Sequence, residues 1–226
     1  MDDDSCPTRQ QISDAVDELG WRLMLGALYT QVLVPSLAQA TEVARLAVEA
    51  AGTAAEGHLS VDIRPDRAVL RLHSAAAGAV TGRDVRLAGL LAGALADSGR
   101  ELTPGGEAFQ MLEIAIDALD IPAVRPFWKA VTGYVDELGP SELAEALIDP
   151  LGRGPAIWFQ QMDVPRPQRN RIHLDIDVPH DAARGRIDAA LAAGGRLLSD
   201  SAAPAFWVLA DPEGNEACIC TWQGRD

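Results

Sequence analysis

Apolar and polar residues alternate strictly in the C-terminal half of the chain, which reads R-N-R-I-H-L-D-I-D-V over residues 169–178. Apolar side chains take every second position, and one histidine and two aspartates lie between them: Ile172, His173, Leu174, Asp175, Ile176 and Asp177. A period of two predicts a β-strand with one apolar and one ionisable face. A surface strand does not need so dense a set of ionisable groups, so this face is the first candidate site.

The same pattern occurs 60 residues earlier in L-E-I-A-I-D, where Glu113 takes the position of His173. Each of the two strands is followed by a turn, a helical pattern and a glycine stop. The predicted elements are strand 110–117, helix 123–132 and strand 156–162 in the first half, and strand 171–178, helix 182–193 and strands 196–198, 206–210 and 216–222 in the second. Two tandem β-α-β-β-β halves would bury a shared sheet and leave a concave polar face between them.

The N-terminal half has a different order of elements. Its patterns predict a helix over 10–25 interrupted near Gly20, a strand over 29–34, a helix over 37–51, strands over 59–64 and 68–73, and a helix over 81–96. Thr81 followed by Asp84 resembles a capping box at the start of the last helix. The whole chain is therefore predicted to be α+β, with an acidic, disordered tail over 1–8, a first domain over 9–97, a linker over 98–107 and a second domain over 108–226.

Composition narrows the class of protein. A net charge of −14 over 226 residues argues against binding nucleic acid, which needs a basic face, and against anionic membrane surfaces. The sequence shows neither an apolar run long enough to span a membrane nor a signal peptide. The three cysteines are too few for a disulfide framework and fit a reducing compartment. We therefore expect a soluble, cytoplasmic protein that binds a small molecule.

The motifs of residues 109–222 resemble the vicinal oxygen chelate superfamily, which includes glyoxalases, extradiol dioxygenases and bleomycin-resistance proteins. The resemblance rests on F-W at 127–128, W-F-Q-Q-M at 158–162, R-P-Q-R-N-R-I-H at 166–173 and D-P-E-G-N-E at 211–216, which occur in that order. It implies a glyoxalase-like domain that holds one divalent metal, with Zn, Ni, Fe and Mn as candidates. The ligand positions carried over by this resemblance are Glu113, Gln160 (uncertain by one residue), His173 and Cys218.

This ligand set departs from the His/Glu/His/Glu pattern of the family. Gln160 is a weak neutral ligand, and Cys218 stands where the family has a glutamate, with Glu216 on the same side of the strand. A thiolate would favour zinc, or else the position holds no metal. The alternative is that His173 only orders the polar face of its strand and that Cys218 is a small buried apolar residue.

Three arginines and two tryptophans are candidate substrate-binding residues. Arg166, Arg169 and Arg171 precede the strand of His173 and are suited to a substrate carboxylate or phosphate, or else they neutralise the nearby acids. Trp158 and Trp207, with Phe206, are expected either in the core or lining an apolar pocket.

Residues 10–96 resemble, more faintly, the pterin-4a-carbinolamine dehydratase fold, whose histidines remove water from a hydroxylated pterin. The resemblance rests on Gly20-Trp21, V-A-R-L-A-V-E-A-A-G at 43–52, S-V-D-I-R at 60–64 and T-G-R-D-V-R-L-A at 81–88. His58 and Asp84 match the family's catalytic positions, whereas Gly57 stands where the family has another histidine, and His73 is two residues out of register.

Three functions therefore remain open. The chain is a metal-dependent lyase, isomerase or dioxygenase that acts on an anionic or vicinal-oxygen substrate through Glu113 and His173, a non-catalytic ligand-binding protein of the resistance type, or a pterin dehydratase that uses His58 and Asp84. The dehydratase resemblance also makes a homodimer plausible.

Overall fold

The computed structural model describes residues 5–104, 110–138, 146–166 and 172–224. The chain divides into two compact units, one formed by residues 1–111 and 138–144, and the other by residues 112–137 and 145–226. No helix in the described ranges is both long and apolar enough to cross a membrane.

Unit 1 is a four-stranded antiparallel sheet with three helices. Its elements are α1 (Arg9–Val16), β1 (Arg22–Met24), β2 (Ala27–Leu33), α2 (Leu37–Ala51), β3 (Leu59–Arg64), β4 (Arg67–Leu72) and α3 (Gly82–Asp97). The strand order is β1-β2-β4-β3. Alternate residues of β4 are fully buried beneath α2 and α3, so one face of the sheet carries the core of the unit.

The N-terminal helix is shorter than predicted. α1 ends at Val16, a short 3-10 turn follows, and Gly20 adopts a φ of +80°, which turns the chain into β1. Leu23 is therefore a strand residue, and the prediction of a helix up to residue 25 was wrong. The strand went unrecognised because three residues are too few to show a period of two.

The other elements of unit 1 lie within two residues of their predicted bounds. The predicted capping box is present, since Asp84 accepts hydrogen bonds from the amide (2.7 Å) and hydroxyl (2.8 Å) of Thr81. Part of the predicted linker packs on this unit, because Thr103 exchanges backbone hydrogen bonds with Gln31. Residues 105–107 of that linker lie outside the described residues.

Unit 2 consists of two β-α-β-β-β modules, as the repeat predicts. Module 1 contains β5 (Glu113–Ala118), α4 (Ile121–Thr132), β6 (Val135–Asp136), β7 (Leu147–Ile148) and β8 (Ala156–Gln161). Module 2 contains β9 (Leu174–Asp177), α5 (Ala183–Ala192), β10 (Arg196–Ser199), β11 (Phe206–Ala210) and β12 (Glu216–Cys220). In both modules the first strand pairs in parallel with the last, giving the orders β5-β8-β7-β6 and β9-β12-β11-β10.

The helices of unit 2 pack on a shared apolar core. Phe127 of α4 is fully buried, and a Cβ atom added at Gly195 would overlap its ring. Glycine is required at that position because the backbone approaches the ring too closely for a side chain. The apolar residues of β9 and β12, including Ile176 and Ile219, face this core, so their polar neighbours face away from it.

A buried carboxylate joins the two modules. Asp211, in the turn between β11 and β12, is fully buried and accepts a hydrogen bond of 3.0 Å from the indole nitrogen of Trp128 in α4. It also accepts bonds from the amides of Glu213 and Asn215 and from the Asn215 side chain. In return, Glu213 accepts from the amides of Leu119 and Asp120 just before α4.

We expect Asp211→Ala to lower the free energy of unfolding of unit 2 by about 3 kcal/mol, because it leaves several donors without an acceptor. Urea denaturation followed by tryptophan fluorescence measures the loss, and hydrogen exchange over residues 206–220 assigns it to unit 2. Asp200→Ala, at an exposed loop position, is the matched control and should stay within about 0.5 kcal/mol of the wild type. An equally small loss for Asp211→Ala would show that this carboxylate does not hold the modules together.

Candidate functional site

The candidate site lies on the face of module 2 that is turned away from the helices. The parallel register places Asp175 of β9 opposite Cys218 of β12, and Asp177 opposite Cys220. His173 directly precedes β9 and lies on the same side as Asp175, because side chains two residues apart share a face. The polar residues of the original sequence pattern thus meet the two cysteines of the last strand.

Three side chains form a close cluster on this face. Nδ1 of His173 lies 2.9 Å from Oδ1 of Asp175 and 3.8 Å from Sγ of Cys218. One potential ligand atom from each of the three residues lies within 4.8 Å of the others. Among the described residues, this is the group of at least three histidine, cysteine, aspartate or glutamate side chains that lie close enough to hold a metal ion. The cluster combines a nitrogen, an oxygen and a sulfur donor.

The cluster differs in exposure from one side to the other. The side chains of His173 and Asp175 are about half exposed (52% and 55%), whereas Cys218 is buried. Burial raises the pKa of the Cys218 thiol to about 12, and a hydrogen bond to Asp175 and the negative charges of Asp175 and Glu216 act in the same direction. Without a cation nearby, Cys218 is therefore a protonated thiol at neutral pH.

A cavity of about 460 Å³ opens beside the cluster. Its lining consists of the three cluster residues together with Ala205, Phe206 and Cys220. Phe206 of β11 pairs with Cys220 of β12, and Phe206 is 38% exposed. The cavity therefore has an ionisable end and an apolar end.

Two residues of the predicted ligand set lie in module 1, outside the cluster. Glu113 begins β5 with an exposed side chain, and Gln160 is exposed on β8 opposite Asp117. Gln161, the other candidate for the uncertain position, donates instead to backbone carbonyls at residues 118, 119 and 162. The structure thus brings His173 and Cys218 together and supplies Asp175 as their third partner.

The resemblance to the vicinal oxygen chelate superfamily does not assign Asp175 as a ligand. The signal that identifies it is the parity of the strand, because any residue two positions from His173 shares its face. The parallel pairing that places Asp175 beside Cys218 is a long-range feature that the local sequence does not specify.

The predicted substrate-binding residues have different outcomes. Trp158 is partly exposed and lies on the same face of β8 as Gln160. Trp207 lies on the face of β11 opposite to that of Phe206 and packs against the core. Of the two expectations for Trp207, the core position is the one found, and the register places its neighbour Phe206 at the cavity. Arg166 is exposed, and Arg169 and Arg171 lie outside the described residues.

Unit 1 contains a second cluster of ionisable residues. Nδ1 of His58 lies 2.8 Å from Oδ1 of Asp84, whose side chain is fully buried, while that of His58 is 11% exposed. The backbone amide of His73 donates to the carbonyl of His58, and its ring nitrogen Nδ1 lies 3.0 Å from the carbonyl of Gly26. Burial lowers the pKa of His73 and favours its neutral form. The two residues carried over from the dehydratase resemblance are thus direct partners.

We expect Asp175→Asn to accelerate alkylation of Cys218 by iodoacetamide in metal-free protein at pH 8. With a pKa of about 12, roughly one thiol in ten thousand is ionised at that pH, and removing the neighbouring charge and acceptor favours the thiolate. A rise of about tenfold corresponds to a fall of one pKa unit. Peptide mass spectrometry measures the rate, and the exposed Cys6 should react equally in both proteins. An unchanged Cys218 rate would mean that burial alone controls the thiol.

Comparisons with known proteins find solved structures that are similar to about half of the chain. The structure is similar to a glyoxalase/bleomycin resistance protein/dioxygenase family enzyme from Burkholderia phytofirmans (21% identity, 48% of this chain and 95% of the other, TM-score 0.36). It is also similar to a glyoxalase/dioxygenase from Nostoc punctiforme (18%, 53% and 94%, TM-score 0.40) and to the fosfomycin resistance protein FosX from Listeria monocytogenes (9%, 50% and 90%, TM-score 0.40). No curated protein matches the sequence.

The family model described as a glyoxalase-like domain matches residues 113–220. This range begins at the first residue of β5 and ends at the last residue of β12, so it contains both modules and the whole cluster. Residues 113–220, slightly less than half of the chain, are therefore similar to a glyoxalase-like domain.

Proposed function

We propose that the glyoxalase-like domain binds one divalent metal ion through His173, Asp175 and Cys218 and acts on a small molecule held in the adjoining cavity. The observation that carries this proposal is the convergence of the three donor atoms within 4.8 Å at the mouth of that cavity. Three protein ligands leave a coordination position for a substrate or a water molecule, as in catalytic metal sites.

The donor set fits zinc better than a hard cation. Imidazole nitrogen and thiolate sulfur are preferred zinc ligands, whereas magnesium and calcium take oxygen ligands. The site also has the charge needed for a divalent ion, because Asp175 and an ionised Cys218 together balance two positive charges. Binding would require Cys218 to lose its proton, since the thiolate is the ligand form.

The bound metal would supply a Lewis acid that polarises an oxygen atom of the substrate. The chain's own residues supply the rest of the site. Phe206 and Ala205 provide apolar contact, and the buried position of Cys218 limits the access of water from the core side. With zinc, which has no redox chemistry, the reaction is that of a metal-dependent lyase or isomerase, whereas a dioxygenase would need Fe or Mn at the same residues.

We expect untagged protein to contain about one zinc per chain by elemental mass spectrometry, and both Cys218→Ser and His173→Ala to lose it. In protein reconstituted with Co²⁺, the thiolate-to-cobalt charge-transfer band should be present in the wild type and absent in Cys218→Ser. Between pH 7 and 9 the apparent affinity should rise up to tenfold per pH unit, because one thiol proton is displaced.

The matched controls are Cys6→Ser, an exposed cysteine of unit 1, and His180→Ala, a histidine of unit 2 whose ring contacts Trp222. Both should retain the metal and the cobalt band. If wild-type protein takes up no metal even after reconstitution, the metal-dependent proposal fails and the cavity is a binding site without metal chemistry.

Unit 1 supports a second candidate function, pterin-4a-carbinolamine dehydration. The specific observation in its favour is the 2.8 Å contact between His58 and Asp84, with the neutral His73 nearby. A histidine held by a buried carboxylate is suited to proton transfer at a hydroxyl leaving group. Against it stands Gly57, which occupies the position of one of the family's histidines.

We expect the full chain to accelerate dehydration of 4a-hydroxytetrahydropterin, followed by absorbance, and His58→Ala to lower that rate by at least about 100-fold, the usual contribution of a general acid or base. His180→Ala is the matched control and should keep the wild-type rate. A wild-type rate equal to that of buffer would exclude this function.

A further inference from the structure

We infer that the ligand of the module 2 cavity is a small apolar molecule that carries a protonated amine about 7 Å from the atom that reaches the His173–Asp175–Cys218 cluster. This inference deepens the proposed function, since it names the ligand class of the same cavity. It is carried by Asp177, Cys220 and Phe206, of which Asp177 and Phe206 belong to neither the metal cluster nor the core.

The sheet register places these three residues in one row. Cys220 pairs with Asp177 on one side and with Phe206 on the other. Adjacent strands are about 4.8 Å apart, so the backbones that carry the aromatic ring and the carboxylate are roughly 10 Å apart, with the small Cys220 side chain between them. A ligand lying over Cys220 would therefore contact a ring on one side and a carboxylate on the other.

The row lies one step along the strands from the metal cluster. Cys218 and Cys220 are two residues apart in β12, which corresponds to about 7 Å in an extended strand. A ligand with an oxygen donor at the cluster would thus place its other end over the row of Cys220.

The charge of this row favours a cation. Within the described residues, the carboxylate of Asp177 makes no hydrogen bond or ion pair. Asp177 is exposed and lies on the same face of β9 as Asp175, which lines the cavity. Among the described residues that line the cavity there is no lysine or arginine. The net charge of the whole chain is −14, which also favours the approach of cations.

Phe206 adds an aromatic surface that a cation can contact. Phe206 is 38% exposed on the cavity face of β11, whereas Leu209, on the opposite face of the same strand, is fully buried. An ammonium group over an aromatic face gains electrostatic attraction, and an adjacent carboxylate adds to it. The combination favours a cationic ligand over an anionic one. The expectation of an anionic substrate stays a prediction, because Arg169 and Arg171, on which it depends, lie outside the described residues.

The test uses benzyltrimethylammonium, whose charge does not depend on pH and which has no atom that can ligate a metal. Its binding to EDTA-treated and zinc-loaded full-length protein is measured by titration with NMR chemical-shift changes in unit 2. Benzyl alcohol serves as the neutral probe and benzoate as the anionic probe. We expect the cation to bind at least about fivefold more tightly than benzyl alcohol, and benzoate to bind EDTA-treated protein more weakly than either.

Two substitutions should weaken the cation selectively. Asp177→Asn should raise its Kd about fivefold, and Phe206→Leu about threefold, whereas Phe206→Tyr should keep the wild-type value because the ring is retained. Asp181→Asn, an exposed aspartate in the turn before α5, is the matched control and should have no effect.

The outcomes separate this inference from the proposed function. If Asp177→Asn leaves the Kd of the cation unchanged, or benzyl alcohol binds EDTA-treated protein as tightly as the cation, the inference is overturned even where zinc binds at the cluster. If zinc is absent but the cation binds and responds to Asp177→Asn, the inference holds and the metal-dependent function fails.

Discussion

The glyoxalase-like domain depends on one buried carboxylate, that of Asp211. A fully buried polar group is costly unless it is hydrogen-bonded, and here four donors bond to the two oxygens of Asp211, including the Trp128 indole of the other module. The same turn positions Glu213 at the start of α4. The D-P-E-G-N sequence thereby fixes the hairpin of β11 and β12, and β12 carries the cysteine of the candidate metal cluster.

The site follows from that anchoring together with one parallel strand pair. A parallel pair needs a long crossover, and here α5, β10 and β11 separate β9 from β12 along the chain. The resulting register pairs Asp175 with Cys218, and His173 lies just before β9 on the same face as Asp175. A shift of the β11–β12 hairpin would change this register. The hairpin carries both Asp211, which bonds to the other module, and Cys218, which belongs to the candidate site.

The local pattern predicted the elements that carry the site but not their partners. Period-two alternation identified the strands of Glu113 and His173, and the tandem repeat predicted both modules. Trp207 and Phe206 could not be separated from the sequence, because which of two neighbouring residues faces a cavity depends on register. Likewise, the ligand positions came from a resemblance, whereas Asp175 enters the cluster through a contact with a residue 43 positions away in the sequence.

The electrostatics of the module 2 face connect the metal cluster with the row of Asp177 and Phe206. Asp175 of β9 lines the cavity, and none of the described residues that line it is a lysine or arginine, so this face favours positive charge. A metal ion suits the end where a thiol and an imidazole offer lone pairs. An organic cation suits the other end, where the aromatic ring lies across Cys220 from a carboxylate that has no partner among the described residues. The metal ion and the organic cation therefore fit neighbouring positions of the same face. Both positions favour positive charge, but the first offers metal ligands and the second an aromatic ring and a carboxylate.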